Sequence, residues 1–426
     1  MSFSIPPGVF DILPKHPKDL WRSSHLWQYV EDIMRNTCKL YGFQEIRTPI
    51  FERTELFSRG VGEGTDIVAK EMYTFIDKGE RSMTLRPEGT APVMRALIEN
   101  TLSQESPVQK LFYIAPMFRY ERAQAGRYRQ HHQFGVEAIG NSAPEQDVEG
   151  IDLIFSIFNK LGLKHLQVTI NTLGDNKSRE AYREALLLYL SSHYEALSAD
   201  SKQRFKNNPL RVLDSKDPLD KVVKEKAPSI LDYLNDESKH HFEEVKKLLK
   251  NLKIPFQIDP RLVRGLDYYN KTVFEVVAGE LGAQNSITGG GRYDGLIKNL
   301  GGPDLPSFGF GAGIERILQT MLKQNCPLPS PYKPTLLLIA LGEQAKDICF
   351  TALHDLRQAG ISAQMDFSNR KLSKIMQYAD QIQTDYVAIV GDNELASGNL
   401  EIKHMASGEK KTLPFSNLAA SLTSTV

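Results

Sequence analysis

The sequence predicts an α+β fold: a mostly antiparallel sheet with helices, interrupted by a helical insertion and followed by a smaller α/β domain. Three observations carry this. Strand-like and helical patterns alternate without a repeating βαβ unit in the first part of the chain, which favours antiparallel pairing. From Asn171 to Leu252 the chain turns charged and helix-favouring, and strand signals resume near Ile254. Beyond Pro327, Pro329, Pro331 and Pro334, which stiffen a linker, a compact βαβ pattern takes over. The expected division is 1–170 and 253–325 for the two parts of one core, 171–252 for the insertion, 326–334 for the linker and 335–426 for the last domain.

Taken in order, Leu20 to Leu40 places apolar residues at helical spacing until Gly42 breaks the pattern. The strand-like Phe43 to Pro49 follows. Further strands are expected at Ser82–Leu85, Lys110–Phe118 and Gln130–Ile139, with a helix from Ala91 to Glu99. The insertion should hold helices at Ser178–Tyr194, Asp217–Lys226 and Glu237–Lys250. After it, β-branched and aromatic residues from Thr272 to Val277 predict a strand that runs to a turn at Gly289-Gly290-Gly291. The last domain reads as strand Leu336–Ala340, helix Gln344–Gln358, strand Ser362–Asp366, helix Lys371–Gln381 and strand Tyr386–Val390.

Composition narrows the classes. Lys plus Arg and Asp plus Glu both number 52, so any nucleic-acid contact must come from local patches. Cys38, Cys326 and Cys349 are isolated, which argues against a disulfide framework or a structural zinc site. No H-E-x-x-H spacing occurs among the histidines, and no protein-held metal is expected. The chain start lacks a basic region followed by an apolar one, and 18 apolar residues never run together. A cytoplasmic protein without a membrane partner is the expectation.

Four segments carry chemistry. Arg264-Gly265-Leu266-Asp267-Tyr268-Tyr269 sets a fixed cation, a glycine bend, a carboxylate and two phenols together before a strand. A guanidinium contacts two oxygens at once, which suits a carboxylate or a phosphate; a surface turn with a structural ion pair would use the same residues. Phe118 to Arg129 reads as strand, loop and returning strand with four arginines against one glutamate, so Arg119 and Arg127 could bracket a polyphosphate. On the returning strand, alternation puts Gln133, Gly135 and Glu137 on one face. Phe308 to Arg316 has glycine at every second position and then an arginine at a helix start; its spacing departs from the dinucleotide fingerprint but would let a flat base approach beneath Arg316. Leu85 to Thr90 offers a carboxylate and a hydroxyl for an ammonium group, or simply Thr90 as an N-cap.

Together these segments resemble the histidyl-tRNA synthetases, a family of class II aminoacyl-tRNA synthetases. The helix and strand ending at Pro49, the Phe118–Glu121 segment with its loop, and Gly309 to Arg316 match the three class motifs. Arg264 to Tyr269, Leu85 to Thr90, and Gly289 to Asp294 match segments particular to the histidine enzymes. One departure is Pro7-Gly8-Val9, where the family commonly has a basic residue and then threonine around the glycine.

The resemblance implies a class II antiparallel catalytic core, a C-terminal α/β anticodon-binding domain, a homodimer, and ATP-dependent activation of L-histidine followed by transfer to tRNA(His). It implies Arg264 as the catalytic residue, and Arg119, Glu121, Arg127 and Arg316 around ATP, whose phosphates Mg²⁺ would bridge. Glu88, Gly89, Thr90, Arg119, Gln133, Glu137, Arg264, Tyr268 and Tyr269 would bind histidine, with Glu137 and Tyr269 on the imidazole. That pair also makes chemical sense alone, since a neutral imidazole has one donor and one acceptor nitrogen. Gln124, Arg129, Arg370, Lys371 and Lys374 would meet tRNA. The alternative of the same fold is a histidine-sensing regulatory subunit of ATP phosphoribosyltransferase, which typically lacks the anticodon domain.

Overall fold

Residue contacts divide the chain into a unit of Met1–Pro329 and a unit of Ser330–Val426. The computed structural model describes residues 3–15, 17–62, 65–121, 127–279, 286–368 and 370–424. In the first unit the strands are β1 (Gln44–Glu45), β2 (Phe51–Arg53), β3 (Tyr73–Ile76), β4 (Ser82–Leu85), β5 (Gln109–Phe118), β6 (Gln130–Ile139), β7 (Leu166–Thr172), β8 (Phe256–Ile258), β9 (Asn270–Ala278), β10 (Ser286–Arg292) and β11 (Ser307–Gly313). Eight of them form one sheet in the order β1-β5-β6-β11-β10-β9-β7-β8, while β2-β4-β3 form a small second sheet. The large sheet is antiparallel except at its edges, where β1 pairs with β5 and β8 with β7 in parallel.

Alternation along the strands gives this sheet two unlike faces. Phe134 and Val136 of β6, Phe274 and Val276 of β9, and Phe308 and Phe310 of β11 are buried against helices Ser24–Leu40, Pro144–Lys160, Asp236–Asn251 and Ile314–Lys323. Burying these aromatic and branched side chains at roughly 1.5–3 kcal/mol each is what holds the sheet flat on its helices. The residues between them, Gln133, Gly135, Glu137, Gly309 and Gly311, lie on the other face.

Several expectations need correction. The strand expected over Phe43–Pro49 pairs with the large sheet only over Gln44–Glu45 and through the Ile46 N–H to the Phe112 carbonyl at 2.8 Å, because the chain leaves to start β2 in the small sheet. Gly289 to Gly291 form no turn: they lie within β10, paired on both sides. A Cβ at Gly290 would stand 2.1 Å from the carbonyl oxygen of Gly309, so glycine here serves close strand packing. Leu166–Thr172, whose polar alternation resembles the charged insertion, is an interior strand, and the sheet therefore continues past residue 170. Helices Pro144–Lys160 and Ala199–Asn207 also escaped the periodicity.

In the second unit, strands β12 (Leu336–Ala340), β13 (Ala363–Met365), β14 (Tyr386–Val390), β15 (Asn399–His404) and β16 (Lys410–Pro414) stand in the order β13-β12-β14-β15-β16. The first three are parallel, as a βαβ pattern requires, and β15–β16 add an antiparallel hairpin that the sequence reading did not contain. Among the described residues no helix is long and apolar enough to cross a membrane.

Candidate active site

A cleft of about 1560 Å³ opens over the polar face of the large sheet. Its floor exists because glycines leave room. A Cβ at Gly309 would lie 2.1 Å from Glu137 Oε2, one at Gly311 1.7 Å from Gln133 Nε2, and one at Gly289 2.5 Å from Arg264 Nη1. The alternating glycines of β11 thus accommodate the side chains of the neighbouring elements. Gly89 and Gly135 do the same for Tyr113, whose ring would meet a Cβ on either of them at 2.2 and 2.1 Å.

At one end lies a buried acid and phenol cluster. Glu88 accepts the backbone N–H groups of Thr90 and Ala91, each at 2.8 Å, and so caps helix Thr90–Glu99. Thr90 is therefore the first helical residue and not the N-cap, and its hydroxyl is free to donate to Glu137 Oε1 at 2.7 Å. Tyr293 donates to the other oxygen of Glu137. Glu137 is wholly buried, and loss of water pushes its pKa up to about 8 against the opposing help of these hydroxyls. Burial also raises Glu88, partly offset by its two backbone donors. The rings of Tyr268, Tyr269 and Tyr293 close the cluster, with centroids 4.7 to 6.3 Å apart.

Arg264 stands beside this cluster. Its Nη1 pairs with Glu275, and its guanidinium lies 6.0 Å from the centre of the Tyr269 ring. Burial is the largest single influence and opposes its charge, but Glu275, with Tyr269, Asp214 and Tyr268 adding to it, holds its pKa above the ordinary value. Nε of Arg264 is buried with no hydrogen-bond partner.

Arginines line the cleft as well. Arg119 donates Nε to the Pro87 carbonyl at 2.8 Å and makes no ion pair among the described residues. Arg316 donates to the Ser286 carbonyl at 2.6 Å, and burial followed by the nearby Arg127 lowers its pKa. Arg127 lies 3.4 Å from Glu121, whose Oε2 is buried without a hydrogen bond. Glu71 stands close enough to Glu121 for its pKa to be raised, first by burial and then by that carboxylate. His131 also lines the cleft; burial first and Arg119 second bring its pKa down to about 3, so it is neutral. Arg119 and Arg316, with no ion pair among the described residues, and Arg127 beside them give this open cleft the makings of an anion site.

The structure therefore brings Glu88, Thr90, Arg119, Glu121, Arg127, Gln133, Arg264, Tyr268, Tyr269 and Arg316 to one cleft. Glu137 lies beneath the floor under Thr90 and Tyr293. Gln124 falls outside the described residues. Arg129 is held by its surroundings, 4.3 Å over the Tyr120 ring and against Gly8, where a Cβ would come within 2.8 Å of its Cγ. In the second unit Arg370 pairs with Asp366 at 2.8 Å and lies over Tyr378, Lys371 is exposed and Lys374 reaches Gln377 at 3.2 Å. Sequence reasoning missed Tyr113, Tyr293 and His131. Tyr113 could have been found by pairing the Lys110–Phe118 and Gln130–Ile139 strands as a hairpin, which sets it opposite Gly135.

A family model described as "Histidyl-tRNA synthetase" matches residues 8–317, and one described as "Anticodon binding domain" matches 335–425. The histidine–tRNA ligase of Protochlamydia amoebophila is 63% identical over 99% of this chain and 100% of its own length. That of Geobacillus thermodenitrificans is 50% identical over 99% of this chain and 98% of its own. The crystal structure of apo S. aureus histidyl-tRNA synthetase superposes with a TM-score of 0.83 at 38% identity, covering 99% of this chain and 100% of that one. An antiparallel sheet with a glycine-floored, arginine-ringed cleft, joined to an anticodon-binding domain, defines a class II aminoacyl-tRNA synthetase. Within that class the chain belongs to the histidyl-tRNA synthetase family.

Proposed function

We propose that the cleft over the large sheet joins histidine to ATP, with Arg264 as its catalytic residue. The activity is that of the family: ATP-dependent activation of histidine to the adenylate and transfer to tRNA(His). The anticodon-binding match at 335–425 speaks against the reading as a histidine-sensing regulatory subunit.

The observation that carries the residue roles is the convergence of arginines and of ammonium-binding groups on one cleft. Arg119, Arg127 and Arg316 gather where a triphosphate would lie, and Glu88, Thr90 and Gln133 gather where an ammonium group would lie. Gln133 Oε1 is buried without a partner and supplies an unused acceptor. Glu137 and Tyr269, with Tyr268 beside them, recognise the imidazole; Glu137 does so from beneath the floor, through the lone pairs that Thr90 and Tyr293 leave unused. A site of paired buried polar groups rejects apolar analogues by about 10⁴–10⁵.

In the first step a carboxylate oxygen of histidine attacks the α-phosphorus of ATP, and the bond from that phosphorus to the bridging oxygen breaks, releasing pyrophosphate. Arg119 orients the α-phosphate and the carboxylate. Arg264 stabilises the charge that develops between them. Mg²⁺ enters with ATP as part of the substrate; Glu71 and Glu121 are hard oxygen donors that fit it, and Glu121 Oε2, 3.4 Å from Arg127, makes no hydrogen bond. In the second step a hydroxyl of the terminal tRNA ribose attacks the acyl carbon and AMP leaves.

The insertion at 171–252 holds the acceptor arm, and the last domain, beyond a linker at 326–334, reads the anticodon with help from Arg370, Lys371 and Lys374. Gln124 and Arg129 meet the acceptor end. The enzyme acts in the cytoplasm as a two-fold dimer, paired through the segment around Pro49; Ile50, Phe51 and Ile76, at 47%, 50% and 65% exposure, leave an apolar surface there. The deciding experiment is ATP–pyrophosphate exchange with each amino acid. Only L-histidine should support rapid exchange, and equal exchange with another amino acid would sink the assignment.

A further inference from the structure

Asp267 is the one ionisable residue of the Arg264–Tyr269 segment that none of the roles above uses. Its surroundings are unlike those of its neighbours. Its carboxylate Oδ1 accepts Asn208 Nδ2 at 2.7 Å, from the end of the insertion helix Ala199–Asn207. Its backbone carbonyl accepts Arg179 Nη1 at 3.2 Å, and the same nitrogen donates to the Tyr269 carbonyl at 3.1 Å. Arg179 belongs to another insertion helix, Asn176–Ser192. On the third side Asp267 meets the core: its N–H points to the Val61 carbonyl at 3.4 Å, and a Cβ at Gly62 would come within 2.9 Å of its Oδ2. Gly62 has φ +103°, so the chain bends there in a conformation that favours glycine and lets the carboxylate in. Three separate stretches of chain thus converge on one residue, through its side chain and its backbone, and that residue does not line the substrate cleft.

Such a junction has a mechanical consequence. Arg264 and Tyr269 flank Asp267 by three and two residues, and they lie on a segment without regular secondary structure. A guanidinium that must meet the α-phosphate only in the transition state loses rate when its support loosens, because a misplacement of about 1 Å costs on the order of 10²-fold. We propose that Asp267 is a positioning residue that pins the helical insertion to the segment bearing Arg264 and Tyr269, so that the state of the insertion is felt by the activation step. This rests on the roles given above to Arg264 and Tyr269. It extends them to a residue that touches no substrate, and names Asn208 and Arg179 as its partners in the insertion.

A double-mutant cycle on the full-length enzyme tests it, read by histidine-dependent pyrophosphate exchange. Asn208→Ala and Asp267→Ala should each lower kcat about tenfold with KM for ATP within about twofold, and the double variant should be no worse than Asp267→Ala, since both remove one link. Asn208→Asp alone sets two carboxylates against each other and should cost more than about tenfold. Adding Asp267→Asn to it restores the hydrogen bond with its polarity exchanged and should bring kcat back to within about threefold of wild type. That rescue separates positioning from general loosening, which exchange of the pair would not repair. Multiplicative losses, a rise in KM in place of the fall in kcat, or a swap that stays inactive would overturn the proposal. If Asp267→Ala does not fold, Asn208→Ala and the swap decide alone. A wild-type enzyme without histidine-dependent exchange, or an Arg264→Ala variant with full activity, would instead overturn the underlying site assignment.

Discussion

Glu137 should make the catalytic unit lose stability as pH rises. Its carboxyl is fully buried, with pKa lifted from 4.5 to about 8 by loss of water, although Thr90 and Tyr293 both donate to it. The folded state therefore holds the proton more tightly than the unfolded chain does. The stabilisation is complete below the unfolded value near 4.5 and is lost as pH climbs through about 8. At about 1.4 kcal/mol per unit, the interval from about pH 5.5 to 8 corresponds to roughly 3 kcal/mol. Glu137→Gln retains the shape, one acceptor for Thr90 and a polar contact for Tyr293, but cannot ionise. Wild type minus variant should thus fall by roughly 3 kcal/mol across that interval. Denaturant unfolding can follow this through tryptophan fluorescence, because Trp21 and Trp27, the two tryptophans of the chain, lie in the core of the first unit. Curves for the two proteins that run parallel with pH would show that Glu137 ionises freely in the folded state. The burial argument would then be wrong.

The same variant should raise KM for histidine, since the amide nitrogen that replaces one carboxyl oxygen has no lone pair to accept with; an unchanged KM would count against the imidazole assignment. Arg264→Ala should lower the activation rate by about 10²–10³ while histidine affinity stays within about tenfold, measured by single-turnover adenylate formation and equilibrium binding. Gly311→Ala and Gly290→Ala should separate function from folding. The first displaces only the flexible end of Gln133 and should raise KM for histidine with little change in melting temperature, whereas the second drives a Cβ into the backbone of Gly309 and should cost more than about 3 kcal/mol by calorimetry. Cutting the chain near Ser330, where the two contact units meet, should leave histidine-dependent exchange intact and remove most tRNA charging; unaltered kcat/KM for tRNA would refute the anticodon role.

Much of the fold was legible because burial imposes a period. β4, β6, β12 and β14 begin and end where alternation and flanking residues place them, at Ser82–Leu85, Gln130–Ile139, Leu336–Ala340 and Tyr386–Val390. The errors fall where the period is masked. Leu166–Thr172 carries Gln167, Thr169, Asn171 and Thr172 among its apolar residues and adjoins a charged stretch, so its burial depends on β9, which lies about a hundred residues later. Gly289 to Gly291 have no side chains to alternate, and the signal for a turn and for a tightly packed interior strand is then the same.

The site divides along a similar line. Charged residues announced themselves: a fixed cation such as Arg119 or Arg264 in a strand-loop setting is costly to bury without purpose, and both do line the cleft. Tyr113 and Tyr293 did not. Tyr113 sits among Leu111, Phe112 and Ile114 and reads as one more apolar residue, yet its ring fills the space left by Gly89 and Gly135. Tyr293 follows a glycine run and meets Glu137 across 156 positions of sequence. What decides the role of each is register, since β6, β11 and β10 must align for Glu137 to face Gly309. The consequence reaches the chemistry. A carboxylate read from sequence alone looks like a charged acceptor, but placed under a floor of glycine and ringed by tyrosines it holds a proton at neutral pH. On the reading proposed above, selectivity for the imidazole would therefore rest on hydrogen bonds among buried groups and not on a charged Glu137.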